Sequence, residues 1–184
     1  MTQRVVTVAV LVLSIGVLHA SEGSPMFQFN DQRFDPQHAY AFRMKTPDFD
    51  AMSPADMQAG PEKMKWKKAL AISLSDKPFD TKALPKLDPP FEALDRMVEA
   101  GALLVTVTAG EGGKVEMLRI SLPRSKRALQ LDTSWATLTL DPPQEGKLSG
   151  RLVIKGDRKM HEFDPEHIPF IEADIRFVTT APSP

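Results

Sequence analysis

The sequence contains no cysteine among its 184 residues. Disulfide bonds, thiolate nucleophiles, cysteine-type zinc sites, iron–sulfur clusters and lipidated-cysteine anchors are therefore excluded. A chain of this length can bury enough apolar surface to fold without such cross-links. Its length suits one domain and is too short for two domains of ordinary size.

An excess of charge of one sign is also lacking. Lys and Arg total 23 against 24 Asp and Glu, which gives a formal net charge of −1. The chain as a whole has no long-range field that would attract a nucleic acid or an anionic membrane. We therefore expect no nucleic-acid partner. The single asparagine, Asn30, is followed by Asp and Gln, so the sequence has no acceptor site for N-glycosylation.

The first twenty residues have the layout of a secretory signal peptide. Arg4 supplies a short basic start, residues 5–18 are almost wholly apolar, and Ala20 is a small residue at a plausible cleavage point. As a helix this apolar run would rise about 21 Å, which is less than the roughly 30 Å of a bilayer core. We expect a periplasmic or secreted bacterial protein that is cleaved near Ala20 and keeps no stable membrane anchor.

Proline is abundant, with 16 residues against about nine or ten expected at roughly 5%. Five prolines interrupt residues 25–61, where no helical period survives. We therefore expect residues 21–65 to form an irregular extension that packs on the domain through its Phe and Met side chains. Within this extension, residues 39–45 alternate as a short strand does. Ser53 before Pro54 predicts one or two helical turns that end near Gly60.

Beyond residue 65 the apolar residues recur at every second position, which is typical of strands with one buried face. The segments with this pattern are 66–75, 102–109, 114–122, 128–132, 135–141, 148–155 and 171–177. A glycine-rich turn at 110–113 predicts a β-hairpin between the second and third segments. The apolar phase switches between Met117 and Leu118, which predicts a β-bulge there. Gly150 predicts a bend or a close backbone approach.

One segment, residues 88–101, predicts a helix of about three turns that covers the side or end of a sheet. The chain shows no strand–helix–strand alternation, so a parallel sheet is disfavoured. We predict a mostly β protein with an antiparallel, immunoglobulin-like β-sandwich of about seven strands and one short helix. The predicted organisation is a signal peptide at 1–20, the extension at 21–65 and the β-sandwich at 66–181.

A possible metal site lies between residues 161 and 167, which contain two imidazoles and three carboxylates. These groups are ligand types for zinc or copper. The spacing is not His-Glu-x-x-His, and Pro165 prevents a helix with both histidines on one face. A loop could still bring His161, Asp164 and His167 together around an ion. The alternative interpretation is a solvated polar loop without metal.

Methionines add a Cu(I) version of the metal hypothesis, because thioethers are soft ligands. They recur at Met44, Met52, Met57 and Met64, with Met160 beside His161. Their spacing forms no compact Met-x-x-Met run. Methionine is also a flexible filler of irregular cores, which is the competing interpretation.

Basic residues cluster in three places, at 63–68, 124–127 and 151–159. On one folded face they would bind an anion such as a polysaccharide, a lipid head group or a nucleic acid. As separate clusters they are solvated and protect edge strands from pairing with other chains.

No motif for nucleophilic catalysis is present. The chain has no Gly-x-Ser-x-Gly motif, and the sequence from Gly110 to Lys114 lacks the spacing of a phosphate loop. Paired-carboxylate hydrolysis stays open because Asp and Glu are plentiful. We assign no catalytic residue and no cofactor.

We favour an exported, non-catalytic binding or accessory module whose partner is a protein or an envelope component. The residues that we would test first are 158–169 and the surface near Arg96. The alternative is a periplasmic metal-binding protein that holds copper or zinc in the loop from His161 to His167.

Overall fold

The computed structural model describes residues 26–59, 63–79, 101–110, 113–123, 128–142 and 144–182. These ranges contain ten strands: β1 Met26–Phe29, β2 Gln32–Phe34, β3 His38–Pro47, β4 Trp66–Ser75, β5 Leu104–Ala109, β6 Val115–Ser121, β7 Leu129–Leu131, β8 Ala136–Leu140, β9 Lys147–Lys155 and β10 Ile171–Thr180. They also contain two short helices, α1 Pro54–Gln58 and α2 Arg158–Phe163, and 3-10 turns at Phe49–Ala51 and Thr133–Trp135. The protein is mostly β, as the alternating pattern predicts.

The strands form two antiparallel sheets of five. Sheet I has the order β3-β4-β5-β6-β7, and sheet II has the order β2-β1-β10-β9-β8. The hydrogen-bonded neighbours follow one another in sequence, except that β1 pairs with β10. The chain passes from sheet II to sheet I at residues 35–37 and returns through the turn Thr133–Trp135. The two layers fit a sandwich-like arrangement.

The hydrophobic core lies between the sheets, where each presents one side to the other. Its largest fully buried side chains are Phe27, Ile72, Leu74, Leu103, Leu118, Ile120, Leu152, Ile154, Ile171, Ile175 and Phe177. Gly150 lies close to the backbone of β8, because a Cβ atom there would be 2.3 Å from the Thr139 carbonyl oxygen. The close backbone approach predicted at Gly150 is therefore confirmed.

The predicted helical turn after Ser53 is confirmed as α1. The Ser53 hydroxyl accepts a hydrogen bond from the Asp56 amide at 3.1 Å, and the Asp56 carboxylate accepts one from the Ser53 amide at 3.0 Å. This reciprocal pair is a capping box, which satisfies amides that the helix itself leaves free. The backbone and side-chain hydrogen bonds from Ser53 lower the pKa of Asp56 below its usual range.

The prediction of an irregular extension is wrong for residues 26–47. The strand predicted at 39–45 is confirmed and lengthened as β3, but β1 and β2 also lie within sheet II. Both strands are too short for an alternating pattern to be recognised, and only Phe27 in them is fully buried. Their structure depends on β10, whose residues stand at the far end of the sequence.

The central strands of sheet I are buried on both faces, which contradicts the one-sided burial predicted for them. All six residues of β5 are buried, including Thr106 and Thr108. On the side of sheet I away from the core, Tyr40 and Phe42 lie opposite the small residues Ser73 and Ala71. Ala, Ser and Thr at these positions resemble a solvent-facing pattern, but here they form a second packed layer. The Ser73 and Thr106 hydroxyls satisfy each other at 2.8 Å.

The predicted hairpin is confirmed as β5 and β6, and its bulge lies earlier than predicted. Ala109 pairs with Val115 while Thr108 pairs with Met117, so Glu116 is the extra residue. Met117 consequently shares the face of Thr108 and does not point into the core with Val115. The change of apolar phase predicted a bulge between Met117 and Leu118, whereas the extra residue is Glu116. The prediction assumed that Met117 faces the core, but a partly buried Met can lie on either face of this sheet.

Several predictions fall outside the described residues. The signal peptide at 1–20, the helix at 88–101, the surface near Arg96 and the basic cluster at 124–127 belong to this group. The strands predicted at 66–75, 128–132, 135–141, 148–155 and 171–177 correspond to β4, β7, β8, β9 and β10.

Ile175 on β10 is fully buried, so its side chain fills space in the core. We predict that Ile175→Ala lowers the free energy of unfolding by about 2–5 kcal/mol, because it removes buried methyl groups and leaves a cavity. Val178→Ala on the same strand is the matched control, since that side chain is 38% exposed. Urea unfolding of both variants measures the difference. Equal losses of stability would contradict the assigned core.

Candidate functional site

The segment between β9 and β10 carries the residues that the sequence singles out, and its start is fixed by the backbone. Gly156 donates its amide hydrogen to the Ile171 carbonyl at 2.7 Å. A Cβ atom at Gly156 would lie 2.9 Å from that same oxygen, so a side chain would not fit without a shift. Asp157 then caps α2 by accepting hydrogen bonds from the Lys159 and Met160 amides, at 2.9 and 3.1 Å.

The far end of α2 is tied back to the segment that follows it. His161 lies 2.6 Å from the Ile168 carbonyl through Nδ1, and a carbonyl only accepts, so this nitrogen donates the hydrogen. The Arg158 guanidinium stacks over the Phe170 ring, 4.3 Å from its centroid. Both ends of the short helix are therefore held by the segment that leads into β10.

Phe170 is itself fixed by the turn between β1 and β2. Its amide donates to the Asn30 side-chain oxygen at 2.8 Å, and its carbonyl accepts from the Asn30 amide at 2.7 Å. Asn30 adopts a positive φ of 50° to do this, a conformation that asparagine tolerates better than most residues. The only asparagine of the sequence thus positions the floor under α2.

Two of the three predicted metal ligands come together. His167 lies 2.9 Å from the Asp164 carboxylate through Nδ1, on an exposed turn after α2. His161 instead uses its Nδ1 on the Ile168 carbonyl. Among the residues that the structure describes, no group of three His, Asp or Glu side chains could hold a metal ion. The metal site at His161, Asp164 and His167 stays a prediction.

The methionines of the copper hypothesis occupy different surroundings. Met44 is buried on sheet I, and buried Met52 accepts a hydrogen bond from the Lys65 amide at its sulfur atom, 3.4 Å away. Met160 is exposed on α2. Burial of Met44 and Met52 is the gap-filling use of methionine.

The two imidazoles after Asp157 hydrogen-bond to groups other than hydroxyls in the described ranges. The Nδ1 atoms of His161 and His167 contact a carbonyl and a carboxylate, not a serine or threonine. A His–Asp pair alone holds an imidazole in one orientation, but nucleophilic catalysis also needs a hydroxyl or thiol within its reach.

The feature that sequence reasoning missed is a pair of exposed apolar side chains on α2. Phe163 is 88% exposed and Met160 is 50% exposed. They stand three residues apart and so share one face of the helix. No residue of α2 is buried in the core. This apolar pair, Met160 and Phe163, is visible in the sequence only once residues 158–163 are known to be helical.

A shallow cleft of about 300 Å³ opens beside α2. Its lining residues are Lys155, Gly156, Arg158, Phe170, Ile171 and Glu172. Lys155 and Glu172 face each other across β9 and β10, so one cation and one carboxylate mark the strand side of the cleft. The cleft thus combines an aromatic floor with charged walls, and the apolar pair stands on the helix next to it.

Charged side chains continue from the cleft along the solvent face of sheet II. Arg151 donates two hydrogen bonds to the Asp174 carboxylate, the one from Nε measuring 2.6 Å. The hydrogen bonds from Arg151 lower the pKa of Asp174 and raise that of Arg151 itself. Arg151 therefore favours the ionised form of Asp174, and the two side chains form an ion pair on this part of the sheet.

No protein-family model, curated protein or solved structure matches this chain. Within the described ranges, none of the helices has the length and apolar character to cross a membrane. The contacts described above define the candidate site as α2, the turn that follows it and the adjoining cleft.

The cap at Asp157 holds α2 in place, because its carboxylate accepts from two amides of the first turn. We predict that Asp157→Ala lowers the stability of the protein by about 0.5–2 kcal/mol and speeds hydrogen exchange at the α2 amides. Asp157→Asn is the control, since asparagine caps helices equally well. If both variants exchange as the wild type does, the cap does not hold α2.

Proposed function

We propose that this protein is an exported, non-catalytic binding module that docks on a partner protein through α2. The observation that carries the proposal is the exposure of Phe163 and Met160 side by side on a helix whose two ends are fixed. Single exposed apolar residues are common on protein surfaces, but an adjacent exposed pair on a rigid element is typical of an interaction site.

Docking would use the apolar pair as the anchor. Phe163 and Met160 enter an apolar pocket of the partner, where burial of a phenyl group is worth about 1.5–3 kcal/mol. Aromatic anchors of this kind supply most of the binding energy in protein interfaces. α2 carries charges of both signs beside the anchor, Lys159 and Glu162, so we expect a polar rim of mixed charge around the pocket of the partner.

Export is the second part of the proposal, and its support is the basic start and apolar run of residues 4–18. The immunoglobulin-like layout also belongs to the proposal. Its support is the pair of antiparallel layers, which immunoglobulin domains share. Immunoglobulin domains connect their strands as Greek keys, whereas most neighbouring strands here follow one another in sequence. The metal-binding alternative has no further support from the described residues.

We predict that the exported protein begins near Ser21, which intact-mass measurement of protein from the periplasm or medium will show. Replacing Leu11 and Leu13 together by Arg breaks the apolar run and should keep the full chain inside the cell. Thr7→Ser is the control that leaves the run unchanged in character. The export proposal would be contradicted if the wild-type protein were recovered from the cytoplasm with its N-terminus still at Met1.

We predict that a photo-crosslinker at position 163 captures one partner protein reproducibly, whereas a crosslinker at the exposed position of Glu145 does not. With the partner purified, Phe163→Ser should raise the Kd about tenfold or more, because the anchor is lost. Val178→Ser is the control, since it alters an exposed apolar residue on a different element.

The thermal unfolding temperature of Phe163→Ser should match the wild type, because surface substitutions of this kind change stability little. An unchanged Kd in Phe163→Ser would remove α2 as the docking element. Turnover of an esterase, glycosidase or phosphatase substrate, lost on changing one carboxylate or histidine, would contradict a non-catalytic function.

A further inference from the structure

A two-stranded ribbon projects from sheet I beyond the cover of sheet II. It consists of residues 43–47 of β3 and 66–70 of β4. Along the core-facing side of β4, burial falls from the fully buried Leu74 and Ile72 to the exposed Lys68 and Trp66. The same side of β3 runs from buried Ala39 to exposed Arg43 and Lys45. The core-facing side of both strands therefore continues into solvent, and its residues change from aliphatic to basic and aromatic.

The strand register places these exposed residues on one face. Lys45 pairs with Lys68, Arg43 with Leu70 and Pro47 with Trp66. Residues directly opposite each other in an antiparallel pair point to the same side, with Cβ atoms about 5 Å apart. Two lysines face each other in this arrangement, although like charges opposite each other destabilise a sheet. We call this face, with Arg43, Lys45, Trp66 and Lys68, the basic ribbon face.

Two carboxylates of the described residues, Glu116 and Asp48, lie on the other side of the ribbon. Glu116 lies 2.7 Å from the Lys67 ammonium and Asp48 lies 3.8 Å from it. The hydrogen bond from Glu116 is the main reason that the pKa of Lys67 is raised. Among the described residues, Arg43 and Lys68 form no salt bridge. Within that part of the chain, two cations of the basic ribbon face are therefore not neutralised by a carboxylate, although the net charge of the whole chain is −1.

Protection of an edge strand accounts for only part of this face. β3 is the edge of sheet I, and exposed cations such as Arg43 and Lys45 hinder pairing with another chain. Trp66 is not explained in this way, because an aromatic side chain that is 50% exposed gives no such protection. The other tryptophan, Trp135, is partly buried against the core.

We infer that the basic ribbon face docks reversibly on an anionic lipid surface. Tryptophan favours the boundary between head groups and hydrocarbon, and Lys or Arg near a membrane surface strengthens binding to anionic lipids about fivefold per residue. A nucleic acid would require a longer track of phosphate contacts than this short ribbon offers. The inference is independent of the docking proposed for α2, because it uses other residues on the other sheet.

The test is co-sedimentation of the protein, as cells process it, with vesicles of phosphatidylcholine alone or mixed equally with phosphatidylglycerol. We expect binding to the mixed vesicles that weakens at high salt and is much weaker to the neutral vesicles. Lys68→Glu should reduce binding to the mixed vesicles about fivefold or more. Lys147→Glu, an equal charge change at an exposed position of sheet II, should leave it unchanged. Any contribution of the N-terminal residues is common to these variants.

Trp66 provides a direct readout of contact with lipid. In a Trp135→Phe background, Trp66 is the sole tryptophan, and its fluorescence should shift to the blue and lose access to acrylamide when mixed vesicles are added. Trp66→Ser should reduce binding several-fold, and Leu129→Ser, a change at another exposed apolar residue, should not. Circular dichroism and thermal unfolding confirm that each variant is folded.

The inference is overturned by either of two results. One is binding that does not distinguish mixed from neutral vesicles, or that Lys68→Glu and Lys147→Glu reduce equally. The other is an absence of binding to the mixed vesicles. If the protein then binds a single-stranded oligonucleotide or an acidic polysaccharide through the ribbon, the face is assigned to a soluble polyanion.

Discussion

The burial of one face of each sheet against the other is the constraint on which the rest of this structure depends. The chain has no cysteine, so no disulfide shares that task. Side chains such as Ile72, Leu118, Leu152 and Ile175 are removed completely from water between the layers. Burial of apolar area is the dominant favourable term in folding, and here it also determines where each strand can lie. β1 adds Phe27 to the same layer and joins the two ends of the described chain.

The two candidate binding surfaces, α2 and the basic ribbon face, lie outside the region where the two sheets bury each other. α2 bridges β9 and β10 without burying a residue of its own, and it is fixed instead by Asp157, His161 and the stacking of Arg158 on Phe170. The ribbon of β3 and β4 extends past sheet II, so positions that would otherwise be core become surface. Phe163 on α2 and Trp66 on β4 are exposed because these parts of the chain lie outside the two packed layers. A rigid body can present such residues at little entropic cost, which favours binding.

Much of the strand pattern was predictable because alternation is a local property. β4 was predicted with its bounds, and the turns around β8 to β10 were marked by Pro, Gly and Asp. β1 and β2 were not predictable, since four and three residues are too few to show a period. The second buried face of β5 was missed because Thr106 and Thr108 are polar, and the alternation of residue types in one strand does not show whether its polar side is covered. The bulge at Glu116 was displaced from its predicted place for a similar reason, as either face could accept Met117.

The sequence by itself determined the mostly β class, the absence of cysteine chemistry, the helical turn after Ser53 and the need for glycine at Gly150. These depend on residue type and on spacing over a few positions. It also showed that residues 158–169 are unusual, but it pointed to their histidines and carboxylates. Only the tertiary structure decided that His161 turns to a backbone carbonyl, that Phe163 is left in water, and that Trp66 shares a face with Lys68. Strand pairing and the burial of one element by another involve residues that are far apart in the chain. A local sequence pattern does not show which distant residues will be paired or packed together.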